Sequence, residues 1–174
     1  MTRKTKTRYF GLDLSLSPGI CVVEVVDRKP KLVYADSIAT DSKDSDAERV
    51  AVVQSFVSTA VYTYKPFDAV VREDFTSGRN RRATQTIFAA WSAADRALHT
   101  FGYRVEETKP LLAPTRVKSL VTGNGKADKK EVAEAVSRIL GLGEDYKWRA
   151  GYDDSDAVAV VLSYLIQKGL IDVA

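Results

Sequence analysis

The stretch Tyr9-Phe10-Gly11-Leu12-Asp13-Leu14-Ser15-Leu16-Ser17 decides how the chain reads. Its apolar residues predict a first β-strand, Tyr9 to Leu16, and they flank a single carboxylate, Asp13. Alternation sends Asp13 to the face opposite Leu12 and Leu14, and a central strand has both faces covered. A charge in such a place is costly unless something uses it. A structural salt bridge is one reading of Asp13, and a chemical site is the other.

Working outward, Gly19 to Val26 and Lys31 to Ile38 are two further β-rich runs. Ser17-Pro18-Gly19 and Asp27-Arg28-Lys29-Pro30 separate the three with turn chemistry, which predicts an antiparallel meander. The acidic loop Asp41 to Asp46 leads into a helix from Ala47 to Tyr64. Val50, Val53, Val57, Ala60 and Val61 fall on one face of it, and Asp44 to Asp46 supply capping character. Ala69-Val70-Val71 reads as a buried strand ending in Arg72-Glu73-Asp74, at the end where open α/β sheets place their sites. A basic loop, Thr76 to Arg82, feeds a helix from Ala83 to His99, and Tyr103 to Glu107 is predicted as a fifth strand. Helices then cover Thr115 to Leu120 and Asp128 to Leu140, the second capped by Asp128 and stopped at Gly141, and a last helix starts near Asp153. That order predicts a mixed five-stranded sheet, an antiparallel three-strand meander plus parallel strands, flanked by helices. It resembles the ribonuclease H type of α/β fold.

With 174 residues and 45% hydrophobic content, the sequence predicts one domain over residues 1–174, with residues 1–7 a flexible basic arm. The formal charge of +3 permits nucleic-acid binding without demanding it, but its distribution says more. Basic residues gather at Arg3, Lys4, Lys6 and Arg8, at Arg79, Arg81 and Arg82, and at Lys118, Lys126, Lys129 and Lys130, whereas acids crowd Asp36 to Glu48. Cys21 is the one cysteine and lies in an apolar run, so a packed thiol in a reducing compartment is expected. No apolar stretch approaches the roughly 18 residues of a membrane span, and the basic start runs into the Asp13 strand instead of a signal-peptide core. A cytoplasmic protein without membrane contact is the expectation. His99 and Cys21 cannot build a zinc site between them, so any metal would be a hard ion on carboxylate oxygens.

Asp153 and Asp156 are three apart at a helix start and project from one side of its first turn. Helix capping accounts for one such acid but not two, and Asp154 between them is read as the solvent-facing member, exchangeable with Asp153. Glu73 is ambiguous alone, because strand ends often carry charge simply where they meet water. Trp91 on the long helix reads as core or dimer contact.

These residues carry a family resemblance over nearly the whole chain. Gly11-Leu12-Asp13 looks like the opening Gly-x-Asp of the RuvC-type Holliday junction resolvases, and Val71-Arg72-Glu73 stands where they have a second-strand glutamate. Val121-Thr122-Gly123-Asn124-Gly125-Lys126-Ala127-Asp128-Lys129 resembles their Val-x-Gly-x-Gly-x-Ala-x-Lys segment. Asp153-Asp154-Ser155-Asp156-Ala157-Val158-Ala159 is similar to their closing Asp-x-x-Asp-Ala-x-Ala. Each piece is weak alone, and four in the right order are fairly specific. The small size fits a phage member. The resemblance implies that Asp13, Glu73, Asp153 and Asp156 are metal ligands and catalytic, that Lys118 and Lys129 lie near the scissile phosphate, and that the protein is a homodimer. Two departures bear on substrate preference: the arginine-rich segment Arg79, Arg81 and Arg82, and the insertion-like stretch Asp145 to Tyr152.

Four carboxylates in one pocket repel one another unless cations neutralise them. Two magnesium ions about 3.5 to 4 Å apart would activate a water and stabilise the leaving oxygen of an in-line displacement at phosphorus, and manganese should substitute. Lys118, Lys126, Lys129 and Lys130 surround a Gly-x-Gly bend, and Arg79, Arg81 and Arg82 follow Glu73; these would hold branched DNA. Such charge runs are more often solvated faces, yet here no acids balance them. Phe75 reads equally as a wedge at an unpaired junction base or as core. The expected activity is symmetric nicking of four-way junctions by a dimer. A less selective branched-DNA or RNA-processing nuclease, or a non-catalytic junction-binding protein, is the alternative. The actin-like and sugar-kinase group shares Gly-x-Asp but needs a glycine-rich phosphate loop, where this chain has Leu14-Ser15-Leu16-Ser17, and a second lobe. No motif for a partner helicase is visible.

Overall fold

The computed structural model describes residues 6–74, 80–104 and 112–173. Three strands come first: β1 (Lys6–Asp13), β2 (Gly19–Val26) and β3 (Lys29–Ser37). They are followed by α1 (Asp46–Tyr64), β4 (Ala69–Arg72), α2 (Arg81–Thr100), α3 (Pro114–Thr122), α4 (Lys129–Leu140) and α5 (Asp153–Gln167). The sheet runs β3-β2-β1-β4, with β1 antiparallel to β2, β2 antiparallel to β3, and β4 parallel to β1. The meander and the parallel addition are as the sequence predicts. The sheet has four strands among the described residues instead of five. Tyr103 and Arg104, which open the expected fifth strand, are not in a strand, and residues 105–107 lie outside the described ones. β1 also begins at Lys6, inside the segment expected to be a loose arm, because Lys6 and Thr7 pair with Val26 and Val25.

Turn chemistry fixes the meander. Asp27 and Arg28 both have positive φ, +50° and +66°, the backbone of a tight two-residue hairpin whose twist matches the flanking strands. Pro30 has no N–H to give a ladder, and it sits on β3, which borders the sheet. Helix ends follow the same local logic. Ser45 and Glu48 form a capping box on α1, Asp128 and Glu131 form another on α4, and Gly141 closes α4 in the left-handed region.

Strand alternation divides the core into two layers. Phe10, Leu12, Ile20, Val22 and Val70 face α1 and α2, meeting Val57, Val61, Trp91, Ala94 and Leu98. Tyr9, Cys21, Val23 and Val71 face the other way, against α5 and the flanking α3 and α4. Phe10, Leu12 and Ile20 are fully buried, worth roughly 1.5–3 kcal/mol each in apolar burial. Trp91 belongs to the first layer, with the Arg72 guanidinium 4.0 Å over its ring, and Cys21 is a buried free thiol as expected. No helix among the described residues is long and apolar enough to cross a membrane.

Helix α5 is buried along almost its whole length and lies on β1 and β2. Two glycines let it come so close. A Cβ on Gly11 would fall 2.3 Å from Val161 Cγ2 and 2.9 Å from the Ala157 carbonyl oxygen. One on Gly19 would fall 1.8 Å from the carbonyl oxygen of Asp153. Any side chain at Gly19 would therefore drive the start of α5 off the sheet, because the obstruction is backbone.

Candidate metal centre and nucleic-acid interface

Asp13 ends β1 and pairs with Gly19 at the start of β2. It is thus at the mouth of the sheet and not mid-strand, and it faces α5, opposite Leu12 as alternation requires. Glu73 follows β4 directly and keeps the same parity as Val71; its N–H donates to the Leu12 carbonyl at 3.4 Å, which brings it alongside Asp13. Because β1 and β4 are parallel, both acids come to the same end of the sheet. The contact at Gly19 delivers the first turn of α5 there as well. One carboxylate oxygen each of Asp13, Asp153 and Asp156 lie within 4.8 Å of one another.

The acids of α5 are not spent on capping. The residue before the helix is Tyr152, in the left-handed region at φ +63°, and no side chain caps the end. Asp153 Oδ1 instead accepts from Lys129 Nζ at 2.7 Å, and Asp156 Oδ2 lies 3.0 Å from the same ammonium. Asp154 is the member that faces inward. It is 2% exposed, and its carboxylate accepts the N–H groups of Arg149 (3.0 Å) and Ser155 (2.9 Å), so it ties down the loop before α5. The sequence reading of Asp154 as solvent-facing is corrected: its carboxylate is buried and accepts two backbone N–H groups, and it is Asp153 whose oxygen lies with those of Asp13 and Asp156.

The electrostatics are those of crowded like charge. Burial first, then Asp156 and Asp153, push Asp13 up to about 7 against the pull of Lys129. Glu73 is not one of the close trio, yet it belongs to the same field. Burial, Asp13 and Asp156 push it up to about 8, with Lys118 and Lys129 opposing. Burial also raises Asp156, against its hydrogen bond and charge contact with Lys129. Lys129 is held above the usual lysine range: burial works against its charge, but its bonds to Asp153 and Asp156 prevail. Oxygen donors this close, with protons held into the neutral range by burial and then by mutual repulsion, suit a hard divalent cation.

The expected nucleic-acid contacts divide. Lys118 on α3 is half-buried and close enough to lower the pKa values of Glu73 and Asp156. Lys126 and Lys130 are exposed on either side of Lys129 in the chain, and Lys130 has a loose partner in Glu134 at 3.9 Å. Arg81 is exposed at the start of α2. Arg82 departs from the expectation of an unbalanced basic face, since it pairs with Asp46 of α1 at 2.7 Å. Arg79 and Phe75 lie outside the described residues. In the stretch Asp145 to Tyr152, the Trp148 indole N–H donates to Ser137 Oγ at 3.0 Å, anchoring it on α4. Sequence reasoning missed Gly19 as the seat of α5, reading it only as part of a turn.

Comparison with known proteins agrees with this arrangement. The family described as crossover junction endodeoxyribonuclease RuvC matches residues 10–164. A crossover junction endodeoxyribonuclease RuvC of Leifsonia xyli subsp. xyli is 31% identical over 165 residues, which is 94% of this chain and 76% of that protein. The structure of Thermus thermophilus RuvC in complex with a Holliday junction substrate superposes with a TM-score of 0.77 at 26% identity, covering 97% of this chain and 99% of that one. The yeast mitochondrial Holliday junction resolvase Ydc2, at 11% identity and a TM-score of 0.62 over 94% of this chain and 80% of its own, shares the fold. The four motifs and the sheet with its carboxylate mouth therefore have one explanation: the chain belongs to the crossover junction endodeoxyribonuclease RuvC family.

Proposed function

We propose that this chain resolves four-way DNA junctions by metal-dependent hydrolysis of phosphodiester bonds, nicking symmetrically as a homodimer. The observation that carries the reading is the trio Asp13, Asp153 and Asp156, gathered within 4.8 Å at the end of a sheet, with Glu73 in the same field. These four would hold two magnesium ions, and manganese should serve in their place. Bound metal supplies Lewis-acid stabilisation of the phosphate oxygens and a water of lowered pKa. The chain's own residues do the rest. Gly11 and Gly19 set the distance between sheet and α5, and Asp154 fixes the loop leading into it. Lys118 and Lys129 serve the scissile phosphate, while Lys126, Lys130, Arg79, Arg81, Arg82 and Phe75 hold the flanking strands. A twofold dimer suits a nearly twofold junction, since it presents the same site to each of two equivalent strands.

Cleavage of a synthetic four-way junction in magnesium, by wild type and by the Asp13→Asn and Glu73→Gln variants, tests the proposal. Paired nicks by wild type and none by either variant are expected. Binding without cutting in magnesium or manganese would sink the enzyme reading and leave a junction-binding protein. Equal cutting of linear duplex or RNA would replace the resolvase by a less selective nuclease.

A further inference from the structure

Lys129 is asked to do two things that its geometry does not allow at once. An ammonium has three N–H donors, and those of Lys129 have three acceptors in reach: Asp153 Oδ1 at 2.7 Å, Asp156 Oδ2 at 3.0 Å and the Gly151 carbonyl at 3.1 Å. A lysine so engaged has no donor left for a phosphate. We propose that the Lys129 ammonium is a built-in stand-in cation, holding the Asp153 and Asp156 carboxylates until divalent metal displaces it and frees it to meet the DNA phosphate. The inference rests on the metal-centre reading above.

Three observations support it. Asp153 and Asp156 are two of the three acids whose oxygens converge, so the ammonium and a divalent ion compete for the same residues. The lysine side chain is 52% exposed and leaves from the first residue of α4, so it swings into solvent without disturbing the core. Two carboxylates on one turn of α5 repel each other, and a single positive charge between them keeps that turn in position. A divalent ion with additional ligands from Asp13 outbids a monovalent one there. Metal binding and phosphate engagement then become one ordered event: the lysine reaches DNA only at a loaded site. Lys118 differs, because it acts on Glu73 and Asp156 through charge at a distance.

Titration calorimetry with manganese, in the absence of DNA, on wild type, Lys129→Met and Lys118→Met distinguishes the outcomes. Removing the competing contact should tighten manganese binding by about tenfold in Lys129→Met, against less than about threefold in Lys118→Met, where only a distant charge is lost. In parallel, the Lys129 side-chain NMR signals should shift with manganese-matched diamagnetic magnesium over the range in which the site fills. Equal tightening in the two variants, weaker binding in Lys129→Met, or a Lys129 signal indifferent to magnesium would overturn the proposal. If none of the three proteins binds manganese, the metal-centre reading fails instead. Circular dichroism verifies that the variants are folded, which the exposure of Lys129 favours.

Discussion

The two ends of β1 hold similar ingredients and use them in opposite ways. At its start, on the face toward α1 and α2, Arg8 lies directly across from Glu24 of β2. Its Nε donates to Glu24 Oε1 at 3.0 Å, and Lys6 Nζ reaches the same oxygen at 2.9 Å. Burial opposes ionisation of Glu24, but the hydrogen bonds from Arg8 and Lys6 prevail and hold it below the usual glutamate range. At the other end, toward α5, three acids meet with Glu73 in their field and Lys129 between two of them, and Asp13, Glu73 and Asp156 are all pushed upward. One end is an acid satisfied by cations of the chain. The other is left short of positive charge, which suits it to a cation from solution.

The sharpest break of that contrast is Asp13→Asn. It removes one of the carboxylates gathered at the open end, and junction cleavage should fall at least about a thousandfold, about 4 kcal/mol of transition-state stabilisation, with DNA binding retained. Gel assays of binding and nicking on one preparation check it, and retained cleavage would make Asp13 a structural charge. Gly19→Ala comes next. The methyl group forces the start of α5 outward, and displacement on the order of 1 Å costs about a hundredfold in rate. Manganese affinity should fall with the rate. A loss of thermal stability without either change would mean that the helix adapts elsewhere.

Glu24→Gln addresses the satisfied end. It should lower stability by about 1–2 kcal/mol, discounted because Lys6 and Arg8 are partly in solvent, and leave nicking unchanged. Urea unfolding and the cleavage assay separate the two readouts. The two ends also differ in sign with pH. In EDTA, Asp13 and Glu73 keep protons in the folded protein, up to about 7 and about 8, that the unfolded chain has already lost. Their contribution is present below the unfolded pKa and disappears as pH rises through those values. Glu24, held low, acts the opposite way: its contribution is present above its unfolded pKa and is lost as pH falls through the folded one. Thermal unfolding in EDTA from pH 5 to 9 should therefore decline toward the alkaline side in wild type and less steeply in Asp13→Asn, where Glu73 remains. A flat wild-type profile would break the comparison.

Much of this was legible before the structure. The meander and the helices follow from alternation and turn residues, which are local signals, and the convergence of Asp13 with Asp153 and Asp156 was implied by the family resemblance that four short motifs carry. Asp154 escaped because what it accepts is backbone, the N–H groups of Arg149 and Ser155, on a path where Tyr152 takes a left-handed conformation that no side-chain pattern announces. The pair of Arg82 with Asp46 joins residues of two helices 36 positions apart in the chain, and such a pairing arises only when the helices dock. Gly19 escaped for a related reason. Its turn was visible, but the backbone that comes to rest against it belongs to a residue at the far end of the sequence.

Gly11 and Gly19 also say what it would take to move this site elsewhere. Grafting Asp13, Glu73, Asp153 and Asp156 onto another sheet and helix would copy the carboxylates without the span between them. A host with ordinary side chains at the two contact points holds its helix farther out, and the acids arrive apart. The transferable unit is the carboxylates together with two positions that carry no side chain at all.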